Sequence, residues 1–265
     1  MTDLVLVERE GPVARLMLNR PEQRNAVSTG MIEQLTVAFR DLSADPEIRV
    51  VILAGAGSDF CAGADVEELA AAREGADGLD YGSSFEAALR AIEESTVPVI
   101  ARVQGAALGA GCQLTVACDL AVASEDARLG IPSSRLGILI TFENVQRLVL
   151  ALGAKRAGEM LFTGWAWSGS EAAAYGLVNR ATPASELDAE VDRVAGVIAE
   201  AAPLSVRGSK TGIAVVRGKL SVERSREADR VAVFDRMAAA ALASRDLAEG
   251  IAAFRQRRRP EFEGR

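Results

Sequence analysis

Apolar positions along the chain change period several times, and each change marks an element. Leu4 to Asn19, LVLVEREGPVARLMLN, shows two apolar-rich runs around Gly11-Pro12, the pattern of a hairpin. Ser28 stands where an N-cap belongs. Met31, Ile32, Leu35, Ala38, Phe39 and Leu42 follow at spacings of three and four, predicting a helix that stops at Asp45-Pro46. Val50 to Gly55, VVILAG, is an uninterrupted apolar run of strand length, as in a sheet covered on both faces. Pro98 to Gly105, PVIARVQG, repeats the unit, leading into a glycine-rich loop and a helix from about Gly109. Asp119 to Ser124, DLAVAS, is a further short strand, followed by LGIP and a helix from about Phe142. Ala70 to Ser84, AAAREGADGLDYGSS, is polar and glycine-containing and reads as a mobile surface loop. From about Leu148 the pattern is nearly all helical, with three long segments between Glu186 and Arg258 and breaks at Gly164, Gly176 and Pro203. Strands alternating with helices predict an α/β architecture, and the apolar faces of the helical tail favour assembly.

Composition narrows the chemistry. The 265 residues are 49% hydrophobic with net charge −7, which fits a globular protein with a sizeable core. No basic face runs along the body of the chain, so nucleic acid is not an expected partner. The run Arg255 to Arg259 reads as a solvated helix end. No stretch reaches the roughly 18 apolar residues of a membrane span, and no export signal is visible, so a cytoplasmic location is expected. Cys61, Cys112 and Cys118 form no CxxC pattern. There is no histidine. That excludes a Ser-His-Asp or Cys-His nucleophile, a histidine base and histidine-held metal. Acid–base work falls to Asp, Glu, Tyr, Cys, Lys or bound water.

Three segments carry candidate chemistry. RPEQRNAVS, Arg20 to Ser28, sets Arg24 and Asn25 in a loop before a helix; Arg24 is either a phosphate contact or part of an ordinary turn. SDFCAGADVEEL, Ser58 to Leu69, follows a strand, and its small residues let backbone approach a ligand closely. GAALGAGCQL, Gly105 to Leu114, puts small residues at a helix N-terminus, where unpaired N–H groups and the helix dipole stabilise a negative oxygen. Neither Gly55-Ala-Gly57 nor Gly109-Ala-Gly111 has the third glycine of a dinucleotide fingerprint.

Taken in order, these segments resemble the crotonase superfamily, the enoyl-CoA hydratase/isomerase family. RNA at 24–26, FCAGAD at 60–65, QGAALGAGCQLTVACDLAVAS at 104–124, LFTG at 161–164 and SGSEAAAYGLVNR at 168–180 match its landmarks along nearly the whole chain. The resemblance implies a spiral of β-β-α turns over residues 1–200, with a helical region at 201–265 that serves oligomerisation and site closure, in homotrimers or dimers of trimers. It implies an acyl-CoA substrate, with coenzyme A entering as part of that substrate, no permanently bound cofactor and no metal. The thioester oxygen would accept hydrogen bonds from the backbone N–H groups of Ala62 and Ala110, while Arg24, Ala26, Ala64, Asp65 and Val66 would line the CoA site. Fixed donors of this kind contribute about 2.7–4 kcal/mol each.

The carboxylates that hydratases of the family use fall at Gln113 and Ser133, and neither residue is an acid. Losing such a group forfeits on the order of 10²–10⁴ in rate. A later family position for a carboxylate matches Thr141. Glu143, two residues on, is either a displaced acid or a helix-start residue favoured by the dipole. Asp65 reads as a loop organiser, Glu67 and Glu68 as lip residues within reach of an acyl chain, Tyr81 as a residue of the loop with an open role, and Cys112 as packing. The expected function is a hydratase or isomerase working through a thioester enolate. The alternatives are an acyl-CoA binding protein without catalysis, or a CoA-thioester decarboxylase or hydrolase.

Overall fold

In a computed structural model describing residues 3–68, 78–220 and 228–263, the hairpin forms where the apolar runs place it. Strands β1 (Val5–Glu10) and β2 (Val13–Leu18) pair antiparallel from Val5–Leu18 to Glu10–Val13. Helix α1 (Thr29–Ala44) starts at Ser28, whose side chain accepts a hydrogen bond from the Met31 N–H. Then come β3 (Val50–Gly55), α2 (Gly78–Glu93), β4 (Val99–Val103), β5 (Ala106–Leu108), α3 (Ala110–Ala117), β6 (Leu120–Ser124) and β7 (Arg128–Gly130). The remainder is α4 (Phe142–Thr163), β8 (Ala166–Ser168), α5 (Gly169–Ala174), β9 (Arg180–Thr182), α6 (Leu187–Glu200), α7 (Pro203–Leu220), α8 (Ala228–Ala243) and α9 (Arg245–Gln256).

The larger sheet runs β1-β2-β3-β4-β6-β9, parallel beyond the hairpin. Its central strand β3 is apolar throughout because both faces are covered. Val50 and Ile52 pack with Ile100 and Val122 against Leu187, Val191 and Ala195 of α6. Val51 and Leu53, pointing the other way, join Met31, Leu35 and Phe39 of α1 in the main core. The smaller sheet runs β5-β7-β8, and a parallel bridge from Cys61 to Ala107 extends it by one chain segment. Ala107, Leu129 and Trp167 point into the core, so Ala106, Leu108, Arg128 and Ala166 face the opposite side, where Ala106 is covered as well. The architecture is therefore the expected mixed α/β body with a helical C-terminal region.

Several expectations need correction. Gly78 to Ser84 is not a surface loop but the first part of α2, while 70–77 lie outside the described residues. The segment after Leu148 contains strands β8 and β9, and four helices rather than three lie between Glu186 and Arg258 among the described residues. Helix α4 starts at Phe142 as expected and is interrupted at Gly153, whose φ of 72° is not helical. Among the described residues no helix is long and apolar enough to cross a membrane.

Candidate active site

The two glycine-containing segments lie side by side. Cys61 donates its N–H to the Ala106 carbonyl (2.8 Å), and its own carbonyl accepts from Leu108 (2.9 Å). Beyond this bridge Gly63 and Gly109 meet: both have positive φ, 128° and 54°, and a Cβ added to Gly109 would stand 3.7 Å from the Gly63 Cα. Gly111 presses even closer, since a Cβ there would be 2.3 Å from the Cys61 carbonyl oxygen. Positive φ favours glycine at 63 and 109, and close backbone approach requires it at 111.

This packing determines which N–H groups are spent. Ala62, expected to be an oxyanion donor, gives its N–H to the Arg24 carbonyl at 2.9 Å. Two residues later the chain bridges to Val27: Val27 donates to the Gly63 carbonyl (2.8 Å), and Asp65 donates to the Val27 carbonyl (2.9 Å). Both neighbours of Ala64 are thus committed to Val27, so the Ala64 N–H points away from that strand. It donates to no described residue. Ala110 is the first residue of α3, where helix geometry offers no internal acceptor, and its N–H is likewise unspent. The preceding N–H, that of Gly109, is taken by the Gly130 carbonyl at 2.8 Å. Ala64 and Ala110 therefore each follow directly on one of the two glycines that touch. Ala64, expected among the residues lining the CoA site, is thus the one with an open N–H, a direction that a motif does not show.

Gln113 is the one half-exposed residue of an otherwise buried α3. Ser133 lies in the single helical turn Pro132–Arg135 that follows β7, the strand whose Gly130 holds Gly109. Neither side chain has a hydrogen-bond partner among the described residues. Helix α9 packs backbone to backbone on this turn's exit: a Cβ on Gly250 would be 2.5 Å from the Leu136 carbonyl oxygen.

The carboxylates are occupied or elsewhere. Asp65 bonds the Glu67 N–H and pairs with Arg20 at 3.0 Å, capping the turn that contains Val66. Glu68 accepts from the N–H and hydroxyl of Thr29 at the start of α1. Glu67 pairs with Arg255 of α9 at 2.6 Å. Glu143 lies on the wall of a different cleft, of about 320 Å³, with Glu86, Glu93, Arg147 and Arg217. The half-buried Tyr81 hydroxyl donates to the Val27 carbonyl at 3.0 Å, and burial pushes its pKa well above the ordinary phenol value. Burial also pushes the Cys61 and Cys112 thiols up to about 12, so neither is a thiolate nucleophile.

Arg24 adopts a left-handed backbone conformation (φ 52°). Its guanidinium holds Asp59 through two hydrogen bonds of 2.9 and 3.0 Å, and the same carboxylate accepts the Ala106 N–H at 2.7 Å. The Arg24 hydrogen bond, opposed by burial and helped by Ala106, lowers the Asp59 pKa to about 2. Arg24 thus ties its loop to β5 and carries a charge already compensated. Next to it, Ala26 accepts a hydrogen bond from Arg20 at its carbonyl (2.7 Å), and buried Asn25 bonds both the Ala56 and Asp59 carbonyls at 2.8 Å.

A mixed α/β body whose glycine-pinned segments present unspent N–H groups matches a known family. The family model described as enoyl-CoA hydratase/isomerase covers residues 8–265. A probable enoyl-CoA hydratase of Mycobacterium tuberculosis is 33% identical over 264 residues, 98% of each chain. A peroxisomal Delta(3,5)-Delta(2,4)-dienoyl-CoA isomerase of Arabidopsis thaliana is 35% identical over 272 residues, covering 98% of this chain and 96% of the relative. Among solved structures, methylmalonyl-CoA decarboxylase in complex with 2-nitronate-propionyl-CoA superposes with a TM-score of 0.88 at 29% identity over 99% of both chains. The chain belongs to the enoyl-CoA hydratase/isomerase family, within the crotonase superfamily.

Proposed function

We propose that the protein is an enoyl-CoA hydratase/isomerase-type enzyme that holds the thioester oxygen of an acyl-CoA between the N–H groups of Ala64 and Ala110. The observation that carries this reading is the pair of unspent donors on segments that touch through Gly63 and Gly109. A thioester gains charge on its oxygen when its α-carbon becomes enolate-like, and donors fixed before the reaction stabilise that charge without reorganising. Gln113 and Ser133, without a hydrogen-bond partner among the described residues, bind and orient water or the acyl group. Binding energy, orientation and the oxyanion donors supply the rate; proton transfer passes through water rather than through a carboxylate at either position. The helical region at 201–265 completes the assembly as a homotrimer or dimer of trimers, a reading supported by its exposed Leu204, Ile213 and Phe254.

A second reading, decarboxylation of a malonyl-type CoA thioester, is favoured by one observation: Asp65, Glu67 and Glu68 are engaged and Glu143 lines another cleft. In that reaction the electrons of the broken C–C bond pass into the enolate as carbon dioxide leaves. No base is required. The two readings separate in one set of assays, following loss of 2-enoyl absorbance with crotonyl-CoA and carbon dioxide release from malonyl- and methylmalonyl-CoA. Binding of saturated acyl-CoA in calorimetry with neither reaction would reduce the protein to a CoA-thioester binder. No binding would remove the CoA assignment.

A further inference from the structure

Arg147 of α4 is buried, and its guanidinium makes five hydrogen bonds, one for each N–H it carries. The two terminal nitrogens donate to Glu86 at 2.7 and 2.6 Å. Nε and one terminal nitrogen donate to Glu93 at 3.0 and 2.9 Å. The last N–H goes to the Asn144 side-chain oxygen at 3.1 Å. The sequence prepares this arrangement: Glu86 and Glu93 stand two turns apart on α2, and Asn144 and Arg147 one turn apart on α4, so each pair shares a helix face. Burying ions gains little stability over apolar packing of the same volume. What a saturated guanidinium supplies is direction, since its donors lie in one plane and a lysine cannot reproduce them.

Both helices reach the candidate site. Near the start of α2 the Tyr81 hydroxyl donates to the Val27 carbonyl, which also accepts the Asp65 N–H beside Ala64. On α4, Asn144 donates its side-chain N–H to the hydroxyl of Thr141, the helix cap, at 2.8 Å. Ile138, three residues before Thr141, donates its N–H to the Ser133 carbonyl at 3.0 Å. One buried side chain thus links the segment that carries Ala64 to the segment that carries Ser133. Arg217 of α7 adds a second guanidinium at Glu93 (3.2 Å) and ties the helical region to the same point.

We propose that Arg147 is a positioning residue for the reaction: by holding α2 to α4 it keeps the Ala64 N–H and the Ser133 turn at the separation the substrate requires. It acts through Tyr81 and Asn144 rather than on the substrate. The proposal rests on the reading of Ala64 as a thioester-oxygen donor, a role that demands geometry kept to within about 0.5 Å.

The test compares wild type, Arg147→Lys and Arg90→Gln by hydrogen exchange read in a mass spectrometer, and by kcat and KM on the best acyl-CoA substrate. Arg147→Lys keeps the charge and loses the planar donors. Arg90→Gln is the charge control, because Arg90 is an exposed partner of the same Glu86 at 3.2 Å. In Arg147→Lys, exchange at residues 61–65 and 133–141 should be about ten-fold faster while the β1–β2 hairpin stays unchanged, the mark of local rather than global opening. Its kcat should fall about ten-fold or more, since a 1 Å misplacement costs on the order of 10², with KM nearly unchanged. Arg90→Gln should match wild type throughout. Tyr81→Phe added to Arg147→Lys should cost no further kcat, because the path it serves is already broken. A purely structural role would lower the melting temperature and speed exchange across the whole body alike, with kcat per folded molecule unchanged. That result overturns the proposal, as does an equal loss in Arg90→Gln or a fully additive effect of Tyr81→Phe. Should Arg147→Lys not fold, Glu86→Gln, which turns one acceptor into a donor facing Arg147, is judged by the same criteria. If no acyl-CoA binds or reacts with the wild type, the thioester reading fails instead, and the exchange pattern alone decides whether Arg147 holds the two segments.

Discussion

Replacing Gly111 by alanine tests whether the touching segments set the donor geometry. The new Cβ would stand 2.3 Å from the Cys61 carbonyl oxygen, 2.9 Å from its Cβ and 3.0 Å from its carbonyl carbon. Ordinary contact begins near 3.4 Å, so relief requires a shift of about 1 Å (3.4 − 2.3) between α3 and the 61–64 segment. Two of the three obstructing atoms are backbone, and no rotamer change can absorb the clash. Overpacking of this kind costs about 1–3 kcal/mol of stability. The same displacement separates Ala110 from Ala64, and a 1 Å misplacement of reacting groups costs on the order of 10² in rate. The assay is thermal unfolding together with kcat on the best acyl-CoA substrate. Gly208→Ala in α7 is the control: it lies in open space and should gain about 0.5–1 kcal/mol from helix propensity. A Gly111→Ala protein with wild-type kcat and unchanged melting would refute the claim that this contact positions the donors.

Three further perturbations follow from the same geometry. Restoring carboxylates with Gln113→Glu and Ser133→Glu should raise 2-enoyl-CoA hydration by about 10²–10⁴ per group that becomes productive; no gain in the absorbance assay would mean these positions do not face the reacting carbons. Tyr81→Phe removes only the hydroxyl that shares the Val27 carbonyl with Asp65. It should lower kcat several-fold with KM nearly unchanged, and an equal rise in KM would point to binding rather than donor positioning. Asp59 ionises well below an ordinary carboxylate. Its contribution is therefore present above about pH 4 and lost as pH falls toward 2, at most about 2 kcal/mol and less because Arg24 is partly solvated. Urea titrations of Asp59→Asn should show a flatter acid limb than wild type, and parallel limbs would contradict the assignment.

Elements long enough to show a period were legible in the chain: the hairpin, α1 with its Ser28 cap, and the apolar runs of β3, β4 and β6. Strands β5, β7, β8 and β9 have three residues each, too few for alternation to register. The start of α2 was hidden because its glycine and serine residues read locally as loop, and packing overrode that preference. The motifs show which segments meet but not which way each N–H points. Ala62 spends its N–H on the Arg24 carbonyl while the Ala64 N–H points away from Val27, and both partners are far away in sequence. Glu143 is close to Ser133 along the chain yet lies over α2 and α7, because α4 turns its Arg147 toward Glu86 and Glu93.

The central claim is that Ala64 and Ala110 polarise a thioester carbonyl. Difference infrared spectroscopy of butyryl-CoA labelled with carbon-13 at the thioester carbonyl reads that polarisation without requiring turnover. The account predicts a labelled band moved to lower frequency on the wild-type protein and moved back toward its free position on Gly111→Ala. A bound ligand whose carbonyl band stays at its solution frequency would contradict it.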